Sequence, residues 1–173
     1  MIYFDLILPM NFSILPTTSD DLSKILALNQ DALPAVSSVA IDEMAHFLNI
    51  ADYFKIISVE GEIAGFLIAL TTGKDYHSIN YKWFENKYNS FIYVDRIVIA
   101  PEFYSQGLGR ALYDDLSNFS KSKAPRITCE VNIRPMNQGS ILFHEKYGFT
   151  QVGTQETDGG KKEVSLMAFE SKY

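Results

Sequence analysis

Four features of the chain carry side-chain types that could move protons or hold an anion. Two carboxylates, Asp95 in "YVDRIVIAP" and Glu130 in "TCEVN", can take a proton; His144 in "LFHEKYGF" can give one; and "SQGLGRAL" holds a Gly-x-Gly turn at Gly107 and Gly109. Glycine lets backbone N–H groups approach an anion with no Cβ in the way. A helix that starts there adds free first-turn amides and a favourable dipole, and Arg110 adds a cation. The same two glycines also suit a plain packing turn, and the motif alone leaves both readings open. Each carboxylate can equally sit in a structural ion pair, and His144 can simply pack on its helix. Adjacent Asp95 and Arg96 on a regular strand point to opposite faces, so each is expected to find its own partner.

Such groups need elements to aim them. "VDRIVIA" is an apolar, β-branched run with hydrophobic residues at both parities, the pattern of a central strand. It leads directly into the glycine turn and an amphipathic helix over residues 108–121. The segment "NFSIL" reads as a short strand before Pro16, followed by a helix capped by Thr18 or Ser19 with acids in its first turn. A second helix is expected over 38–49. "YFKIISVE" and "IAGFLIAL" form a hairpin around Glu60-Gly61-Glu62. "RITCEVNI" is a strand, 137–147 a helix, and "GFTQVGTQE" with "KKEVSLMAF" a closing hairpin. The order predicts an α/β (α+β) domain: a mostly antiparallel sheet of about seven strands with helices on both faces.

The bulk composition narrows the function classes. With 47% hydrophobic and 21% charged residues among 173, the chain suits one globular domain over residues 11–173, preceded by an extension over residues 1–10. A net charge of −6 with no Lys/Arg cluster argues against nucleic acid as a partner. The single cysteine, Cys129, precludes an intrachain disulfide and reads as a buried residue rather than a nucleophile. His46, His77 and His144 show no ligand spacing, so no metal is expected. A reducing cytoplasmic compartment is the default. "MIYFDLIL" is too short to span a membrane; it reads as an added edge strand or an arm for self-association in a homodimer, or as a peripheral piece before a start at Met10.

The strand-Pro-Glu-x5-Gly-x-Gly-helix order, followed by a strand, an Asn and a closing "GF", resembles the GNAT N-acetyltransferase superfamily over residues 11–170. "VDRIVIAPEFYSQGLGRALYDDL" and "NQGSILFHEKYGF" carry the resemblance. It implies acetyl-CoA as co-substrate, lying where strands four and five splay apart. Its pyrophosphate falls on Tyr104, Ser105, Gln106, Gly107, Leu108, Gly109 and Arg110, and its pantetheine on the backbone of Ile97, Val98 and Ile99. An amide near Val98 polarises the thioester carbonyl, and Asn137 contacts the cofactor. Tyr104 departs from the usual Arg or Gln, with Gln106 or Arg110 expected to compensate. His144 stands where the family usually has the Tyr that protonates the thiolate, with Tyr147 as a substitute. Asp95 or Glu130 serves as base.

Tyr81, Trp83 and Phe84 lie in the "YHSINYKWFENKYNSF" excursion, where relatives build the acceptor wall; their spacing also fits an ordinary core stripe. The chain is thus expected to be an N-acetyltransferase acting on a small-molecule or peptide amine, with no nucleic-acid or membrane partner. The rival readings are a noncatalytic acyl-CoA sensor, in which the Tyr104 and His144 departures mark lost chemistry, and a self-assembling interaction domain.

Overall fold

The computed structural model describes residues 11–171. The expected N-terminal strand or arm, and the self-association assigned to it, lie outside them. The element order is β1 (Phe12–Pro16), α1 (Leu22–Asp31), α2 (Ile41–Ile50), β2 (Tyr53–Val59), β3 (Glu62–Thr71), α3 (Ile79–Lys87), β4 (Ile92–Ile99), α4 (Leu108–Ser120), β5 (Arg126–Arg134), α5 (Gln138–Tyr147), β6 (Thr150–Thr157) and β7 (Lys162–Glu170). The seven strands form one sheet in the order β1-β2-β3-β4-β5-β7-β6. Every neighbouring pair is antiparallel except β4 and β5.

The sheet is apolar on both faces, which is why β3 and β4 are hydrophobic at both parities. One face carries Phe66, Ile68, Tyr93 and Val98 against Ile25 of α1 and Met44 and Phe47 of α2. The other carries Ile57, Leu67, Val94 and Ile127 against Leu108, Leu112 and Leu116 of α4. Burying a Leu- or Phe-sized side chain contributes about 1.5–3 kcal/mol, so these two layers hold the helices that flank the central strands. Among the described residues no helix is long and apolar enough to cross a membrane.

Two irregularities position the site. The first is the parting of the parallel pair: β4 and β5 are in register only at Ile92 with Ile127 and Tyr93 with Thr128. Beyond this closed end, where Thr128 Oγ1 also donates to the Ile92 carbonyl at 3.3 Å, β5 continues with β7 and β4 with β3. One edge of β4 is left open. The second is a β-bulge on β4: Ile68 faces Arg96 and Ala69 faces Val94, so Asp95 is an extra residue with no partner on β3. A bulge places consecutive side chains on one side of the strand. It corrects the strict alternation expected for Asp95 and Arg96, which instead meet in an ion pair at 2.6 Å.

The polar-aromatic excursion contains α3, capped by Ser78, whose Oγ accepts from the Tyr81 amide at 3.3 Å. Tyr81 and Phe84 have no exposed surface and join the core, with the Tyr81 hydroxyl donating to the Thr71 carbonyl at 2.7 Å. Trp83 covers β6, so close to Gly153 that a Cβ there would lie 2.6 Å from the indole ring. These three residues are core and sheet cover, and none lines the cavities described next, contrary to the acceptor-wall expectation.

Candidate active site

The Gly turn after β4 has the geometry that an anion cradle needs. A 3-10 turn at Pro101–Phe103 lets the chain leave the strand, and Ser105 and Gly107 then take positive φ angles of 60° and 81°. Gly107 is the N-cap of α4 and no side chain caps the helix, so its first amides remain free donors. A Cβ at Gly109 would lie 3.1 Å from the Phe143 ring, so α4 and α5 approach closely there. The Arg110 side chain is two-thirds exposed and stands 3.9 Å from Asp114.

The turn opens into a groove of about 690 Å³ lined by residues 97–99, 103–105, 107–110, Asn137 and one side of α5. Tyr104, Ser105, Leu108 and His144 are therefore at the groove with the glycines. Gln106 is not: its Nε2 donates to the Glu102 carbonyl at 3.0 Å and shapes the turn. Asn137 caps α5, its Oδ1 accepting from the Ser140 amide at 3.2 Å.

The open edge of β4 runs along this groove. The Ala100 N–H donates to Ala64 on β3, and the Val98 carbonyl lies against Gly65 of the same strand. Backbone groups alternate along a strand. The N–H and C=O of Ile97 and Ile99 therefore turn toward the open side, and those of Val98 toward β3. An amide placed to polarise a carbonyl in the gap belongs to Ile97 rather than Val98.

A larger cavity, about 1110 Å³, lies beyond the groove. The two meet at Ala35, Val36, Ile97, Ser140 and His144, which line both. Deep in this cavity Tyr93 donates its hydroxyl to Glu130 Oε1 at 2.8 Å, while Glu130 Oε2 is buried with no hydrogen-bond partner. Burial, and then the charge of nearby Asp95, push the Glu130 carboxyl up to about 8 from its ordinary 4.5. Glu130 is thus a carboxyl mostly protonated at neutral pH that ionises as pH rises toward about 8, with one oxygen unpartnered.

Asp95 is differently placed. Its side chain is 5% exposed, bound by Arg96 and by the Tyr76 hydroxyl. Arg96 continues the network: Nη1 donates to Asn29 Oδ1 at 2.8 Å and to the Ser37 carbonyl at 3.2 Å, and Nη2 to Ser37 Oγ at 3.3 Å. The guanidinium also lies 5.4 Å from the Phe47 ring. Asp95 and Arg96 therefore anchor the α1–α2 loop, whose Ala35 and Val36 wall both cavities. Of the two candidate bases, only Glu130 has a free oxygen.

His144 is buried, 3% exposed, with both ring nitrogens engaged: Nδ1 is 2.7 Å from the Ser140 carbonyl and Nε2 is 2.8 Å from the Tyr113 hydroxyl. A carbonyl only accepts, so Nδ1 carries the proton and neutral His144 accepts from Tyr113 through Nε2. Burial lowers the His144 pKa, against the Ser140 hydrogen bond, which raises it. Tyr147 donates to Asp114 Oδ1 at 3.0 Å, half-buried between α5 and α4 and lining the groove, not the deep cavity. Tyr113, Tyr93 and Asn29 carry no mark in the sequence that sets them apart. Tyr113 is one of several apolar-stripe residues on α4 and carries no distinguishing sequence mark. Cys129 is buried and its thiol is pushed well up by burial, in keeping with a packed, unreactive residue. Among the described residues no three His, Cys, Asp or Glu side chains gather as metal ligands.

A mixed sheet parted after two residues of a parallel pair, with a Gly-x-Gly turn and an uncapped helix start at the mouth of the gap, is the architecture that the chain presents. The description "Acetyltransferase (GNAT) family" matches residues 23–149, and the chain belongs to that family. Solved structures share the fold. The ribosomal-protein-S18-alanine N-acetyltransferase from Escherichia coli is 20% identical with a TM-score of 0.69, over 94% of this chain and 96% of that one. Ard1 from Thermoplasma volcanium is 16% identical with a TM-score of 0.74, over 94% and 99%. Arabidopsis thaliana Naa50, in complex with the bisubstrate analogue CoA-Ac-MVNAL, is 13% identical with a TM-score of 0.71, over 92% and 98%. No curated protein sequence matches the chain.

Proposed function

We propose that the protein is an acetyl-CoA-dependent N-acetyltransferase that moves the acetyl group to a primary amine by direct attack on the thioester. The observation that carries this reading is the open edge of β4, which runs from an anion cradle to a cavity holding an unpartnered carboxylate oxygen. The residues present fit the co-substrate. The free amides at Gly107 and the start of α4 receive the diphosphate. Ile97 and Ile99 pair with the pantetheine amides as a missing strand would. The complex of the Arabidopsis neighbour with the bisubstrate analogue CoA-Ac-MVNAL is in keeping with this use of the fold.

At the junction of the two cavities the chemistry divides between two sets of side chains. Glu130 Oε2 accepts a proton from the incoming ammonium, directly or through one water, leaving a neutral nitrogen able to attack. The Ile97 N–H steadies the oxygen that gains charge. When the C–S bond breaks, the sulfur needs a proton. Neutral His144 has none to offer, because its single N–H faces Ser140. The Tyr113 hydroxyl, which His144 Nε2 holds and which lines the deep cavity, turns its O–H to the sulfur and supplies that proton. The phenolate takes back the second proton that the nitrogen sheds on becoming an amide, while His144 stays in the neutral form that burial favours.

The test is thiol release from acetyl-CoA by the purified protein with a panel of amines, with mass spectrometry of the products. An N-acetylated amine appearing with stoichiometric thiol supports the reading. Tight coenzyme A binding with no thiol released by any amine would replace it with the sensor function.

A further inference from the structure

We infer that the acceptor is a small amine bearing a second positive charge and no carboxylate, of the diamine or polyamine class; this rests on the acetyltransferase reading above. The inference comes from which charges in the 1110 Å³ cavity are already matched. Its cations are largely committed. Arg96 is held by Asp95, Asn29 and Ser37 with its side chain only 4% exposed. Lys74 Nζ is 2.9 Å from Asp52. Lys162 is the lining cation that, among the described residues, is in no ion pair.

Apart from Asp95, which Arg96 and Tyr76 hold, the lining carboxylates are in the opposite condition. Glu130 Oε2 is buried without a partner, a cost that a native site offsets when a ligand N–H arrives. Glu43 of α2 and Asp75 of the loop before α3 line the same cavity, are exposed, and are in no ion pair among the described residues. The cavity therefore offers one unpartnered carboxyl oxygen at depth and two carboxylates on its wall. Tyr76, a partly buried lining residue, supplies aromatic surface for methylenes and for a cation.

A free α-amino acid fits this distribution badly. Its carboxylate is fixed next to the amine and must be desolvated beside Glu130 and Asp95, while the one buried cation, Arg96, is fully occupied. A diamine presents an amine to Glu130 and its second ammonium to Glu43 and Asp75. His46 and His77 also line the cavity.

The experiment uses the full-length protein and acetyl-CoA, with putrescine, spermidine, butylamine, glycine and an uncharged-side-chain pentapeptide as acceptors. Thiol release is measured for each, and binding of putrescine to the coenzyme A-saturated protein is followed by calorimetry. Putrescine or spermidine should exceed butylamine in kcat/KM by at least about fivefold, the range that two partly exposed charge contacts supply. Glycine should be turned over slowest. The Glu43→Gln/Asp75→Asn double variant should shrink the putrescine-to-butylamine ratio and weaken putrescine binding. Butylamine, glycine or the pentapeptide turned over as well as the diamines, or an unchanged ratio in the double variant, overturns the acceptor class while leaving the acetyltransferase reading in place. Coenzyme A binding without thiol release from any amine overturns both.

Discussion

Replacing Glu130 with Gln separates its charge from its shape. Gln keeps an oxygen to accept from Tyr93 and fills the same volume, but it cannot ionise or take a proton. The size of the effect follows from the environment: a carboxyl that ordinarily titrates at 4.5 here titrates near 8. Ionising it inside the fold therefore costs on the order of 5 kcal/mol relative to the unfolded chain. The sign is set by the direction of the shift. The folded pKa is raised, so the stability Glu130 contributes is full below about pH 4.5 and is lost as pH rises through about 8. Chemical denaturation of wild type and Glu130→Gln at pH 6 and pH 9 should show the variant gaining on wild type by several kcal/mol at the higher pH.

Activity should move the other way. The wild-type kcat/KM should climb with pH up to about 8, and Glu130→Gln should lose roughly 10²–10⁴-fold together with that acidic limb. A rate profile flat between pH 6 and 9, or a Glu130→Gln enzyme within tenfold of wild type, would refute the assignment of Glu130 as base. Equal pH dependence of stability in the two proteins would refute the burial argument behind it.

Other outcomes follow from the same geometry. Gly107→Val forces a β-branched residue to φ 81° and should weaken coenzyme A binding by roughly tenfold or more in calorimetry, whereas Tyr104→Ala, removing a 58% exposed ring, should change it little. Tyr113→Phe and His144→Phe should each lower kcat by about a hundredfold with near-normal coenzyme A affinity, and the double variant should be no worse than either. Additive losses would mean that the two do not act as one relay. Arg96→Met leaves Asp95 buried and unpaired, at a cost of about 3–5 kcal/mol; the melting temperature should fall by roughly 6–20 °C and recover in part in Arg96→Met/Asp95→Asn.

Much of the scaffold was legible in the sequence because its signals are local. The apolar runs and turn residues marked the seven strands, and Gly107, Gly109 and Asn137 each lie at a helix start: Gly107 at positive φ, Gly109 against the Phe143 ring, and Asn137 as the side-chain cap of α5. What escaped depended on long-range register. The β-bulge that brings Asp95 beside Arg96 is set by pairing with β3, and alternation along β4 alone predicts the opposite. Tyr113 and His144 are 31 residues apart, joined only because α4 and α5 pack at Gly109. Tyr81, Trp83 and Phe84 had a helical stripe that suits core and pocket wall equally; the choice was made by β6, whose Gly153 leaves the space that Trp83 fills. The contrast between Asp95 and Glu130 was likewise invisible until the partners of each oxygen could be counted.

The most direct test is a crystal structure of the protein with coenzyme A. The account predicts the diphosphate on the amides at the start of α4, the pantetheine paired with the backbone of Ile97 and Ile99 rather than Val98, and the sulfur where the two cavities meet, within reach of Tyr113. Coenzyme A bound elsewhere on the sheet, or a gap between β4 and β5 that stays empty at saturating ligand, would contradict it.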